Sequence, residues 1–170
     1  MTDDKTTFPY ADGEGRGSLR IGAHEYELSA ASIELYHCGA DEADWNLFAR
    51  TDRARVDGAP MSASWFLFGT VEGGPFDAHD ALEGASLRVA PDLEGWECAH
   101  ELGSVRGDLL PGDDAVVTVT RVEGDTLYLE LRSTFGFTED WGEFEDVAVT
   151  LEVTATVVGF HQGRQPALRT

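Results

Sequence analysis

The chain has 170 residues, with 32 Asp and Glu against 12 Lys and Arg and a formal net charge of -20. One ordinary domain fits this length. It would bury roughly 70% of the surface its unfolded chain exposes, so the core needs neither metal nor disulfide to stand. The 42% hydrophobic content excludes a disordered chain, and the negative field repels phosphate backbones and anionic membrane surfaces, which argues against nucleic acid and membranes as partners.

That field attracts basic partners and cations. Lys5 is the single lysine, and an acidic, lysine-poor surface is equally what a high-salt cytoplasm or a GC-rich genome produces. The longest apolar block, Trp65–Phe68, falls far short of the ~20 residues a membrane helix needs. Met1–Lys5 has neither a basic n-region nor an apolar h-region, so the expected location is cytoplasmic.

Residues 1–17 read as a flexible leader, 18–160 as one β domain and 161–170 as a frayed polar tail. From Leu19 the apolar residues recur with period two, the mark of strands. Leu19 and Ile21 form a first strand, Gly22-Ala23-His24 a tight hairpin connection, Tyr26 and Leu28 a second strand, and Ile33 and Leu35 a third that ends near Cys38. Gly39–Asp44 reads as an acidic turn before a strand around Trp45–Ala49.

Asp57-Gly58 is a hairpin dipeptide. It leads into Ser62–Val71, which places Ala63, Trp65 and Leu67 on one face and Phe66 and Phe68 on the other. A strand apolar on both faces is either covered twice or lines a pocket. Gly73-Gly74-Pro75 breaks the chain, and Phe76–Leu82 reads as a short helix with Asp77 as its N-cap. Strands follow at Leu87–Val89 and Trp96–Leu102. Val116–Val122 and Thr126–Phe135 flank the hairpin Glu123-Gly124-Asp125, and a long strand at Val147–Val157 alternates with Thr150, Glu152, Thr154 and Thr156. The expected fold is all-β: an antiparallel β-sandwich or partly open barrel of about 9–11 strands with at most one short helix.

No motif carries a recognisable chemistry. The glycines of Gly13–Gly17 lack the Lys-Ser/Thr of a phosphate loop, and no nucleophile elbow is present. Cys38 beside His37, and Cys98 two residues before His100, lack the tight spacing of structural zinc; the readings are a zinc site, a disulfide, or two reduced thiols acting as small apolar groups. Arg50, Arg53 and Arg55 form a small basic cluster amid acids.

The segment Glu139–Asp146 gathers carboxylates around Trp141 and Phe144. Asp140, Glu143, Glu145 and Asp146 are the candidate metal ligands, with Ca²⁺ the cation such oxygens would hold and no other cofactor implied. The candidate ligand-binding residues are Trp45, Trp141, Phe66 and Phe68, because aromatics at a sheet end can stack on a ligand.

These features lead to a non-catalytic interaction domain whose acidic surface meets a basic protein or a cation. A small-ligand or carbohydrate-binding β domain, with a hydrolase as one version, and a structural subunit of a larger assembly are the alternatives. A contiguous acidic patch separates the first from a merely acidic surface.

Overall fold

A computed structural model describes residues 14–21, 24–56, 59–89, 99–102, 105–111, 115–139 and 142–163, with side chains described for 17–18, 20, 25, 27–28, 30–50, 65–89, 115–136 and 147–163. Ten strands occur among these residues: β1 Glu14–Ile21, β2 His24–Tyr36, β3 Glu42–Val56, β4 Ala59–Glu72, β5 Ser86–Val89, β6 Ala99–Leu102, β7 Val105–Pro111, β8 Val116–Glu123, β9 Thr126–Glu139 and β10 Gly142–Phe160. The nearly all-β expectation holds. No helix among the described residues is long and apolar enough to cross a membrane.

The sheet closes on itself. In the order β10-β2-β3-β4-β5-β8-β9 each strand bonds the next, and β9 returns to β10, completing a ring of seven. At the far end β1 enters between β10 and β2. There β6 and β7 take the places of β5 and β8 between β4 and β9. Closure matters because an open sheet edge leaves unpaired N–H and C=O groups that recruit other chains.

The period-two pattern explains the interior. Ile33, Leu35, Trp45, Leu47, Trp65, Leu67, Leu87, Val117, Leu129, Leu131, Leu151 and Val153 are buried in one cluster. The registers hold them in phase: Ile33 faces Leu47, Leu47 faces Leu67, Leu87 faces Val117, and Leu131 faces both Val117 and Leu151. A slip of one residue would turn each set outward, so burial itself selects the register. Large residues face small ones, with Trp45 opposite Gly69 and Trp65 opposite Ala49, which lets two indoles share the lumen. Trp65 also meets Phe135 at a tilted 6.2 Å between ring centres.

Three features differ from the sequence reading. The second and third expected strands are one, β2, because Ala30-Ala31-Ser32 contains no Gly or Pro break and is buried rather than solvated. The acidic turn after Cys38 is shorter than expected, since β3 already begins at Glu42. The helix expected over Phe76–Leu82 is a single 3-10 turn, His79–Leu82, flanked by Ala78 with no side-chain cap; Asp77 stands outside it and caps nothing. Phe76 and Leu82 are buried instead at the end of the barrel, so two apolar anchors rather than helix propensity shape this segment.

Val56 pairs with Ala59 where β3 meets β4, and Asp57-Gly58 lies outside the described residues. Glu123 pairs with Thr126, and Gly124 between them takes φ +59. β1 begins at Glu14, within the segment that composition set aside as a leader, and 161–163 continue past β10 in backbone hydrogen bonds to 37–39.

Candidate functional site

One end of the barrel is built from four adjoining segments: the β2–β3 turn, the end of β4, the capping segment 73–85 and the β8–β9 hairpin. Phe76 N–H donates to the Cys38 carbonyl at 2.6 Å, and Gly73 and Gly74 N–H both donate to the Asp41 carbonyl at 3.1 and 3.0 Å. On the other side Gly84 N–H reaches the Val119 carbonyl at 2.8 Å, and the Glu83 carboxylate accepts Val122 N–H at 3.0 Å. His79 meets the edge of Phe160, with ring centres 5.0 Å apart. The end is therefore one continuous surface.

That surface is acidic. Asp41, Glu42, Glu72, Asp77, Asp80, Glu83, Glu123 and Asp125 are all exposed there. Glu42 and Glu72 stand directly opposite each other on β3 and β4, a placement that repels rather than stabilises. Among the described residues Arg121 is a guanidinium beside these groups, and it is committed: it pairs with Glu123 and lies over the Tyr128 ring at 5.1 Å. Tyr128 in turn donates its hydroxyl to Glu123 at 2.9 Å.

The barrel flank is balanced differently. Arg20 pairs with Glu25 at 2.8 Å, and Arg132 lies 3.9 Å from Glu152. The hydrogen bond to Glu25, and then its charge, raise the Arg20 pKa. A shallow groove of about 280 Å³ crosses this flank, lined by Gly17, Thr120, Tyr128, Glu130, Glu152 and Thr154 among others. Glu130 and Glu152 face each other across β9 and β10.

Beside the acidic end lies a corner of histidine–carboxylate contacts. His37, at φ +59, brings Nδ1 to 2.5 Å from Asp44 Oδ2. His161 Nε2 lies 3.0 Å from Glu34 Oε1, and its ring stacks on Tyr36 at 4.7 Å. Behind them Cys38 is a free, fully buried thiol, so the disulfide reading fails for it. Burial pushes the Cys38 thiol up to about 11 against a small opposing effect from its backbone contact with His161. Cys98 lies outside the described residues, and His100 is described in its backbone alone.

Cys38 carries a prediction. Its pKa in the fold stands above its ordinary value of 9.0. The folded state is therefore fully favoured below pH 9 and loses this contribution as pH rises through about 11. At neutral pH the thiol should resist iodoacetamide in the native protein and label on addition of urea. Peptide mapping separates it from Cys98; rapid native labelling of the Cys38 peptide would contradict its burial.

The residues singled out from sequence are distributed as follows. Trp45 is wholly buried and its Nε1–H donates to the Thr70 carbonyl at 3.1 Å, so its indole presents no face to solvent. Phe68 is buried and Phe66 half-buried, with rings 5.9 Å apart on the outer side of β4. Trp141 and Asp140 lie outside the described residues. Glu143, Glu145 and Asp146 belong to β10, and their side chains lie outside the described set. Among the described residues no group of three or more His, Cys, Asp or Glu is arranged to hold a metal.

Sequence reasoning missed the acidic end because its carboxylates come from segments up to 84 residues apart, Asp41 to Asp125. It also missed the Glu34–His161 pair, separated by 127 positions. No protein family, curated protein or solved structure matches this chain.

Proposed function

We propose that this chain is a non-catalytic interaction domain, a closed and filled β-barrel whose acidic end meets a basic protein surface or a cation. The observation that carries this reading is the convergence of eight exposed carboxylates from four segments on one end, where Arg121 is already paired with Glu123. A concentrated negative patch steers a basic partner and fixes its orientation, whereas evenly scattered acids only keep a protein soluble. The filled lumen supports a binding role played by the outside of the barrel.

The test compares two sets of neutral variants. One carries Glu42→Gln, Glu72→Gln, Asp77→Asn and Asp80→Asn at the acidic end. The other carries Glu25→Gln, Glu27→Gln, Glu130→Gln and Glu152→Gln on the flank. Both change the net charge equally. Titration calorimetry with a deca-arginine peptide should show the end set weakening binding by about tenfold or more, equivalent to about 1.4 kcal/mol, and the flank set changing it far less. Equal losses from both sets would mean that net charge alone attracts the peptide, and the reading would fall.

A second reading is favoured by the flank groove, where Tyr128, Glu130, Glu152, Thr120 and Thr154 offer a ring, carboxylates and hydroxyls to a small polar ligand such as a sugar. It is separated from the first by the same two variant sets, because a groove ligand would respond to the flank set alone.

A further inference from the structure

The seven-strand ring is closed by one joint unlike the rest. β10 and β2 run parallel, whereas the other six pairings of the ring are antiparallel. The joint matches Thr156 with Ser32, Val157 with Ile33, Gly159 with Glu34 and Phe160 with Leu35, and its register shifts between Val157 and Gly159. Parallel pairing is slightly weaker per residue, and an irregularity leaves ladder groups unpaired. On its other side β10 pairs with β9 without a break from Val147 to Thr156.

Side chains outside the ladder hold this joint. The His161 imidazole is fixed between Glu34 Oε1, 3.0 Å away, and the Tyr36 ring. Gly159 makes the arrangement possible: a Cβ there would lie 2.7 Å from His161 Nε2 and 2.8 Å from Glu34 Cγ. Past the strand end, His161 N–H donates to the Leu35 carbonyl at 2.9 Å, Cys38 N–H to that of His161 at 3.0 Å and His37 N–H to that of Gly163 at 2.8 Å. Gln162 Nε2 donates to the Phe76 carbonyl at 3.1 Å. The remaining titratable pair facing this corner is His37 with Asp44, which braces the turn between β2 and β3.

Glu34 is the anomaly. It is only 8% exposed, and its Oε2 has no hydrogen-bond partner among the described residues. A buried carboxylate with one oxygen unsatisfied costs free energy in the closed state and recovers hydration when the joint parts. The joint thus combines a short irregular ladder and a buried group that favours opening with the His161 imidazole and the strand-end hydrogen bonds that oppose it.

We propose that the β10–β2 joint is the seam at which the barrel opens, and that the Glu34–His161 contact over Gly159 is its latch. Opening bares Ile33 and Leu35, both fully buried in the closed ring, and frees the edge of β2. The acidic end adjoins the seam through the β2–β3 turn, but the latch does not depend on what that end binds.

Native-state hydrogen exchange on the full chain tests this. The amides of Cys38, Gly39 and His161 should exchange through local opening about a hundredfold faster than those of Leu129, Leu131 and Leu151. His161→Ala and Gly159→Ala should each speed the seam amides by about tenfold or more while leaving the β3–β4 amides unchanged. His161 is part-exposed, so its alanine variant keeps the barrel core intact even where Gly159→Ala strains the strand. Seam amides that exchange only with the core would overturn the proposal. So would variants that speed every amide alike.

Discussion

Trp45→Ala is expected to lower the free energy of unfolding by about 3–5 kcal/mol, the range for removing a large aromatic from a packed interior. The indole is fully buried, sits between Leu35 on β2 and Gly69 on β4, and satisfies the Thr70 carbonyl. No larger neighbour stands across β4 to fill the space, because the facing residue is a glycine. The variant therefore loses transfer energy, leaves a cavity and removes the indole's hydrogen bond to the Thr70 carbonyl. Urea unfolding should show a lower midpoint at unchanged slope. Trp45→Phe should recover most of the loss by refilling the volume. The same experiment bears on the ligand-platform idea: a stacking tryptophan at the sheet end could be removed with little change in stability, and a loss below about 1 kcal/mol would mean that its packing has been misread.

Gly17→Ala should cost about 3 kcal/mol, near the upper end of the cost of overpacking. Gly17 lies on β1 between Val153 of β10 and Leu28 of β2. A Cβ at this point would be driven into the Glu152 backbone carbonyl, with Val153 Cα only 2.7 Å away. Both are backbone atoms of paired strands and cannot swing aside as a flexible side chain would. The strand must move off β10 or the methyl group must be compressed. For a chain of this length the expected fall in Tm is about 6–12 °C. An unchanged Tm would show that β1 is not seated tightly against β10.

The chain's own pattern made much of the fold legible. Alternation in Val147–Val157 marked β10, and Glu123-Gly124-Asp125 marked the β8–β9 hairpin, because both signals act between neighbours in sequence. Where burial falls on both faces, alternation fades. Ser32, Glu34 and Tyr36 are shielded on the outer side of β2 while Ile33 and Leu35 fill the lumen, so this strand was split by a reading that expected one wet face. The cap over the barrel end misled in a similar way. Phe76 and Leu82 have near-helical spacing, but the barrel mouth, not an amphipathic helix, takes them up.

The candidate surfaces are the least legible. With 32 acidic residues in the chain, a run such as Glu139–Asp146 draws the eye without being special. The carboxylates that do gather come from the β2–β3 turn, the end of β4, the cap and the β8–β9 hairpin. Nothing in their local sequence differs from the acids that balance Arg20 and Arg132 on the flank.

The sequence by itself determined that this is a β protein with an apolar interior and a negative exterior, because side-chain alternation and turn residues act over a few positions and need no partner. Only the tertiary structure decided that the sheet closes by laying β10 parallel to β2, that the acids converge at one end, and that Glu34 meets His161. Those depend on which distant strands become neighbours, and that choice is made by how the large and small residues of all the strands fill one shared lumen.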